Sequence, residues 1–315
     1  MPPRDFRTHL RFRGETTLGL VPILLLFVAA LLWAAVYSLY KLATESGIPF
    51  IPFVFWQLLG ASIILLAISA ARRRLPPLDI PHLRAYAIVG ILGTGLPSCF
   101  YAFVAPNLPV GVVSLTVLLE PMLTFFLAVL FAIEPLRLLR ALGLLCGLGG
   151  VLLVVLPDAS LPERAMVGWV LLVLIAPVIL ASHNVLIERY WPRDCNTLTL
   201  CAGGLFVGAL AMLPAMAIAD SWWAFPSGMG IGEWALIAVI LIVAVSNLLF
   251  FEVIRRVGAV FASTGTYIET LGAIGLGILI FGERHSSWIW AAVAALMIGL
   301  YLVNKTGRDR TPPGA

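Results

Sequence analysis

Two carboxylates stand where a chain rarely puts them. Glu120 is the sole charged residue between Pro109 and Ile133, and Glu269 is the sole one between Arg256 and Glu283. Each sits near the middle of an apolar run, where a charge costs a few kcal/mol if that run crosses a bilayer. Two kinds of chemistry justify such a cost: binding an amine-bearing or cationic solute, and taking up and releasing a proton. The competing reading is a neutral carboxyl hydrogen-bonded to a Ser, Thr or Tyr on a neighbouring helix. Pro121 follows Glu120 directly, and its missing N–H frees carbonyls near residue 117 to face water or solute. Other polar and aromatic side chains fall at comparable depth: Trp33, Tyr37, Trp56, Gln57, Ser98, Tyr101, His183, Asn184, Ser246, Asn247 and Tyr267. Among the neutral ones Asn247 is the most versatile, because an amide binds both a carboxylate and an ammonium. His183 reads either as a proton relay or as a hydrogen-bonded helix residue, and Trp33 and Tyr101 either as ligand contacts or as core aromatics.

The elements that must position these residues are helices in lipid. Hydrophobic residues make up 61% of the 315 and charged residues 11%, against about 25% charged in a soluble domain. A water-soluble fold of this size could not hide so much apolar surface. Ten runs approach the roughly 20 apolar residues a membrane helix needs: 19–40, 50–71, 84–104, 108–133, 137–156, 166–187, 197–218, 234–254, 258–281 and 286–304. They are continuous rather than alternating, which excludes a transmembrane barrel. Arg4, Arg7, Arg11 and Arg13 before the first run resemble a secretory signal, but the run is long and ends in Trp33, Tyr37 and Tyr40 without a small-x-small cleavage site. It reads as a retained first helix.

Charge orients these spans. With the N-terminus cytoplasmic, the inner side holds all of the 20 Lys and Arg except Lys41, Arg164 and Arg284, as the positive-inside rule requires. Both termini are then cytoplasmic, and the basic balance needs no nucleic acid to explain it. The outer loop 219–233 carries Trp222, Trp223 and Phe225, followed by Trp234, which suits an interfacial aromatic belt. A shift of 149 positions pairs Glu120 with Glu269, Glu134 with Glu283, Ser114 with Ser263, Ser98 with Asn247 and Gly150 with Gly299, and superimposes five apolar runs on the other five. Five is odd, so the second copy enters the membrane from the opposite side. Such inverted repeats are a transporter architecture, with the site near the midplane between the copies.

The segments EPMLTFFLAVLFAIEPLRLLRALGLLCGLGGVLLV, 120–154, and ETLGAIGLGILIFGERHSSWIWAAVAALMIGLYLV, 269–303, resemble the EamA family of the drug/metabolite transporter superfamily. So does LWAAVYSLYK, 32–41, where a Trp precedes a Lys by eight positions. Ile133 stands where the family commonly has Gly, and Thr270 where the first copy has Pro121. The resemblance implies an all-α integral membrane protein of ten transmembrane helices in two inverted five-helix repeats, 19–156 and 166–304. A cytoplasmic tail 1–18 precedes them and a tail 305–315 follows.

Glu134, beside Pro135, and Glu283 read as caps that satisfy the first amides of helices 5 and 10. Lys41 reads as snorkelling to the outer interface. Gly143 with Gly147, and Ala291 with Ala295 and Gly299, form small-residue faces for close helix approach, within one chain or in a homodimer. Cys99, Cys146, Cys195 and Cys201 lack metal-ligand spacing, and no cofactor is implied. GxxxxGK[ST], HExxH and GxSxG are all absent, so neither ATP hydrolysis nor an intramembrane hydrolase is suggested. The expected activity is secondary export of small metabolites across the inner membrane by alternating access. Amino acids or related compounds are the first candidates, since the family includes amino-acid exporters, and the proton is the candidate coupling ion. Two other readings stand beside it. One is a carrier of drugs, cations or sugar-linked metabolites, although no central Lys or Arg is present for phosphates. The other is a membrane sensor or assembly subunit that binds without moving its ligand.

Overall fold

The computed structural model describes residues 20–131, 138–192, 194–224, 229–257, 262 and 264–305. Among the described residues the chain is helical, without strands. The segments are α1 (Leu20–Glu45), α2 (Phe50–Ala71), α3 (Ile80–Asn107), α4 (Val110–Leu130), α5 (Leu138–Val155), α6 (Met166–Ile187, continuing to Tyr190), α7 (Thr197–Ile218), α8 (Ile231–Val257), α9 (Gly265–Phe281) and α10 (Ser287–Lys305). Seven are long and apolar enough to cross a membrane, and the apolar parts of α5, α9 and α10 are shorter. The expected runs coincide with these segments, but α3 and α8 begin and end several residues outside 84–104 and 234–254. Glu134, Pro135, Arg137, Arg193, Phe225, Ser263 and the tails 1–18 and 306–315 lie outside the described residues, and with them the expected Glu134 cap.

Local chemistry sets the ends. Asp79 caps α3, accepting from the His82 amide at 3.1 Å, with Pro81 in the first turn. The His82 ring at 2.7 Å holds the Asp79 carboxyl below the usual carboxylate range. Asn196 caps α7 by accepting from the Thr199 amide at 3.0 Å. Gly282, at φ 64°, ends α9 in the left-handed conformation that glycine adopts without steric cost.

Three helices are interrupted near mid-length, each just before a proline. In α3, residues Ile88–Gly95 widen into a π-helical turn ahead of Pro97. In α4 the regular helix stops at Val117 and restarts at Glu120, with Leu118 and Leu119 making short-range bonds to Leu115 and Thr116. In α6 it pauses at Leu174, before Pro177. The break in α4 leaves the Val117 carbonyl without its usual amide, as Pro121 predicts.

The packing is inside-out relative to a soluble protein. Leu279 is 82% exposed on the periphery while Gln57, Ser62, Ser114 and Thr270 are fully buried. Close approach relies on glycines: a Cβ on Gly208 of α7 would lie 2.6 Å from the Gly90 carbonyl oxygen in the π turn of α3. Likewise a Cβ on Gly143 of α5 would lie 2.6 Å from the Gly299 carbonyl of α10. The small faces of α5 and α10 therefore pack on each other within the chain. On α10 this face runs through Ala292 and Gly299 rather than the expected Ala291, which is exposed.

The main helix pairs are α5 with α10, α2 with α7, α4 with α9, α1 with α8 and α9, α6 with α3 and α4, α3 with α7, and α2 with α8. Exchanging α1–α5 for α6–α10 maps this set onto itself. The two halves thus meet as equivalent partners, with α1 and α6 each docked against the third and fourth helices of the opposite half.

Candidate functional site

Glu120 lies at the restart of α4, where the interrupted helix turns its first residue toward α6. Its Oε1 accepts from Asn184 Nδ2 at 2.8 Å, and the same amide reaches Thr124 Oγ1 at 3.2 Å. Thr124 is itself tied to the Glu120 carbonyl at 2.8 Å. Glu269, on α9, accepts from the Tyr37 hydroxyl of α1 at 2.7 Å. The next residue, Thr270, donates to the Ser114 carbonyl of α4 at 3.3 Å, so the position that lacks a proline links α9 to α4. Each carboxyl is thus held by the first helix of the opposite half. The two carboxyls lie within electrostatic reach of each other.

Tyr101 packs beside the Tyr37–Glu269 bond. Its ring meets Tyr37 edge-on with centroids 5.4 Å apart, and its side chain is buried. It lies within electrostatic reach of both Glu120 and Glu269. The space lined by Tyr37, Tyr101, Ala105, Leu108, Val110 and Val113 is too narrow to hold a water molecule.

Other residues singled out from sequence take different places. Ser98 accepts from Tyr40 at 2.9 Å and from Gln57 at 3.3 Å, binding α1, α2 and α3 in a buried cluster. Tyr40 was not among the expected residues, although its spacing of three from Tyr37 puts both on one face of α1. His183 places Nδ1 3.2 Å from Asn184 Oδ1 and packs its ring on Gly93 in the π turn. Asn247 donates to the Val243 carbonyl of its own helix at 2.8 Å, and Tyr267 donates to Met297 on α10 at 3.3 Å. Trp33 is half-buried on α1, one turn before Tyr37. The bonds described for Asn247, Ser98 and Tyr267 lead away from the carboxyls, while Tyr37, Tyr101 and Asn184 gather around them. Among the described residues no three His, Cys, Asp or Glu side chains are grouped to hold a metal.

A second polar cluster closes one end of the bundle. Glu283, in the α9–α10 loop, accepts from the Val110 amide at 2.6 Å and the Gly111 amide at 3.2 Å. Lys41 Nζ lies 3.5 Å from Glu283 Oε1 and 3.4 Å from the Leu108 carbonyl, over the Phe281 ring. His285 Nε2 lies 3.5 Å from Glu283 Oε2, and burial holds this imidazole below its usual range against the pull of the carboxylate. Two sequence expectations change here. Glu283 caps a helix start, but that of α4 rather than α10, because the loop folds across the α3–α4 turn. Lys41 is only 15% exposed and turns inward to this carboxylate instead of snorkelling.

Comparison with known proteins follows the same lines. The chain is 27% identical over 290 residues to the inner membrane transporter YedA of Escherichia coli strain K12, covering 88% of this chain and 89% of that protein. It is 24% identical over 294 residues to an S-adenosylmethionine/S-adenosylhomocysteine transporter of Chlamydia trachomatis, covering 89% and 88%. A protein solved by crystallography shares the fold, with TM-score 0.62 at 19% identity over 91% of this chain and 97% of that one. The model of the EamA-like transporter family matches twice, over residues 20–156 and 167–305. The chain is therefore a multi-pass membrane protein that belongs to the EamA-like transporter family.

Proposed function

We propose that this protein is a secondary transporter of the inner membrane that exports small metabolites, amino acids or related compounds first among them. Its ten helices cross the membrane as two inverted repeats, 19–156 and 166–304, with both termini cytoplasmic. The observation that carries the reading is the pair of cross-half bonds, Tyr37 to Glu269 and Asn184 to Glu120. A rocking motion between the halves must break or re-form these bonds, so the protonation or ligation of each carboxyl is coupled to how the halves sit against each other. An ammonium that displaces Tyr37 or Asn184 supplies the donors they gave, and a proton neutralises the charge instead. Tyr101 packs edge-on against Tyr37 beside its bond to Glu269. Trp33, Ser98, His183, Asn247 and Tyr267 belong to the surrounding shell in this reading.

The likeness to a transporter of S-adenosylmethionine and S-adenosylhomocysteine supports solutes with an amino-acid end. The chain acts on a gradient rather than as an enzyme, with the proton as the proposed coupling ion. The test is solute flux into proteoliposomes across a panel of amino acids, amines and sugar phosphates, with and without a pH gradient. Flux of an amino acid or related amine above that of empty vesicles is expected. Binding of such a solute without flux would replace this reading with that of a membrane sensor.

A further inference from the structure

Asn184 is the donor that holds Glu120, and its amide can face the carboxyl in two ways. Rotated by half a turn, it would set its oxygen against Glu120 Oε1, acceptor against acceptor. The neighbours decide between the two. Thr124 gives its hydroxyl hydrogen to the Glu120 carbonyl at 2.8 Å, so its Oγ1, 3.2 Å from Asn184, is left to accept. The amide nitrogen therefore faces Thr124 and Glu120, whatever the charge on the carboxyl. The amide oxygen is left facing His183 Nδ1 at 3.2 Å. That contact is a hydrogen bond only if Nδ1 carries the proton.

The far side of the ring gives the same answer. A neutral imidazole has one N–H, so a proton on Nδ1 leaves Nε2 bare. His183 is 9% exposed, and its Nε2 is buried with no hydrogen-bond partner. This atom lies against the π turn of α3, where a Cβ on Gly93 would be 2.7 Å from both Nε2 and Cδ2. An N–H there would be an orphaned buried donor, which folded chains avoid. A proton relay needs a partner at each nitrogen, and Nε2 has none. The ring has a fixed seat instead: Gly93 admits it on one side of the turn, and the Gly90–Gly208 contact ties the same turn to α7.

Resting on the transport reading above, we infer that His183 is a positioning residue for Glu120. Its Nδ1–H pins the Asn184 amide so that the NH2 group stays on the carboxyl, and the π turn of α3 sets where the ring stands. Glu120 thus meets a proton or an amine with its donor already arranged. Glu269 needs no such device, because the Tyr37 hydroxyl that holds it has no amide to turn over.

Two readouts test this without any solute. The first is solid-state NMR of the full-length protein in lipid vesicles, isotope-labelled at its histidine ring nitrogens, with the H183N spectrum subtracted. His183 should be protonated at Nδ1 and bare at Nε2; a proton on Nε2 with Nδ1 bare overturns the inference. The second is the rate at which dicyclohexylcarbodiimide, an apolar reagent that modifies protonated carboxyls, labels Glu120, with Glu269 as internal control. H183Q, whose amide falls near the Nε2 position, should raise that rate about threefold or more, the worth of one neutral hydrogen bond. H183N, which returns an N–H near Nδ1, should keep the wild-type rate. Equal rates in the two variants overturn the inference, and so does a wild-type rate in H183Q alone, since packing by itself favours the larger Gln. Should the His183 variants fail to fold, H9Q, H82Q and H285Q taken singly assign the remaining signal to His183, and the tautomer decides. The Nδ1–H form beside an absence of solute flux in vesicles would retain the positioning role and sink the transport reading. Flux with the proton on Nε2 would do the reverse.

Discussion

Glu120 and Glu269 are the residues on which the coupling argument turns, and the two partners make them separable. Replacing either by Gln keeps the side-chain volume but removes the charge that a proton or an ammonium would meet. If either carries the proton, its Gln variant should still bind solute yet lose the acceleration of flux by an imposed pH gradient. An unchanged pH profile in both variants would leave the carboxyls a structural role. Tyr37→Phe keeps the edge-on ring contact with Tyr101 and deletes the bond to Glu269. A hydrogen bond to a charged group is worth about 1.5–3 kcal/mol, so Y37F should lower the unfolding midpoint in detergent, and flux through it should fall about tenfold or more if the bond belongs to the transport cycle. The carboxyls themselves stand out in the sequence because nothing else in their runs is charged. Their partners do not, since Asn184 and Tyr37 look no different from Asn247 and Tyr267 until the helices are packed.

At the scale of elements, the molecule depends on places where helix backbones touch. Gly208 and Gly90 bring α7 against the π turn of α3, and a Cβ on Gly208 would meet backbone atoms at 2.6–3.0 Å. Backbone cannot swing aside as a side chain can, so Gly208→Ala should destabilise by about 1–3 kcal/mol, read as a lower unfolding midpoint in detergent. Gly275 of α9 has open space around its Cβ position, and Gly275→Ala should be neutral or stabilising by up to about 1 kcal/mol through helix propensity. Equal effects in both variants would show that the Gly90–Gly208 contact does not set the stability. The break in α4 was readable from Pro121, because a missing amide acts locally. The destination of Glu283 was not: a loop carboxylate beside a helix start satisfies its own helix by default, and only the fold of the α9–α10 loop over α3–α4 redirects it.

For the whole molecule, the exchange of α1–α5 with α6–α10 preserves the set of helix pairs. With the charge pattern, this predicts a definite topology. In a chain cleared of native cysteines, a Cys at Asp158 or Trp222 should react with an impermeant maleimide in intact cells. A Cys at Arg73 or Asp194 should react only after the membrane is opened. Labelling of both sets from the same side would overturn the inverted arrangement. These four positions lie in connecting segments between the apolar helices, where reagents can reach them.

Composition, run length and the 149-residue echo were enough to establish a helical membrane protein with two related halves and two exceptional carboxyls. Those features are local or additive along the chain, because lipid rewards apolar length and penalises charge residue by residue. The tertiary structure alone decided which polar groups meet. Tyr37 reaches Glu269 across 232 positions, and Glu283 reaches Val110 across 173. Such pairings follow from how α1 and α6 dock on the opposite halves, which the hydrophobic pattern along the chain does not specify.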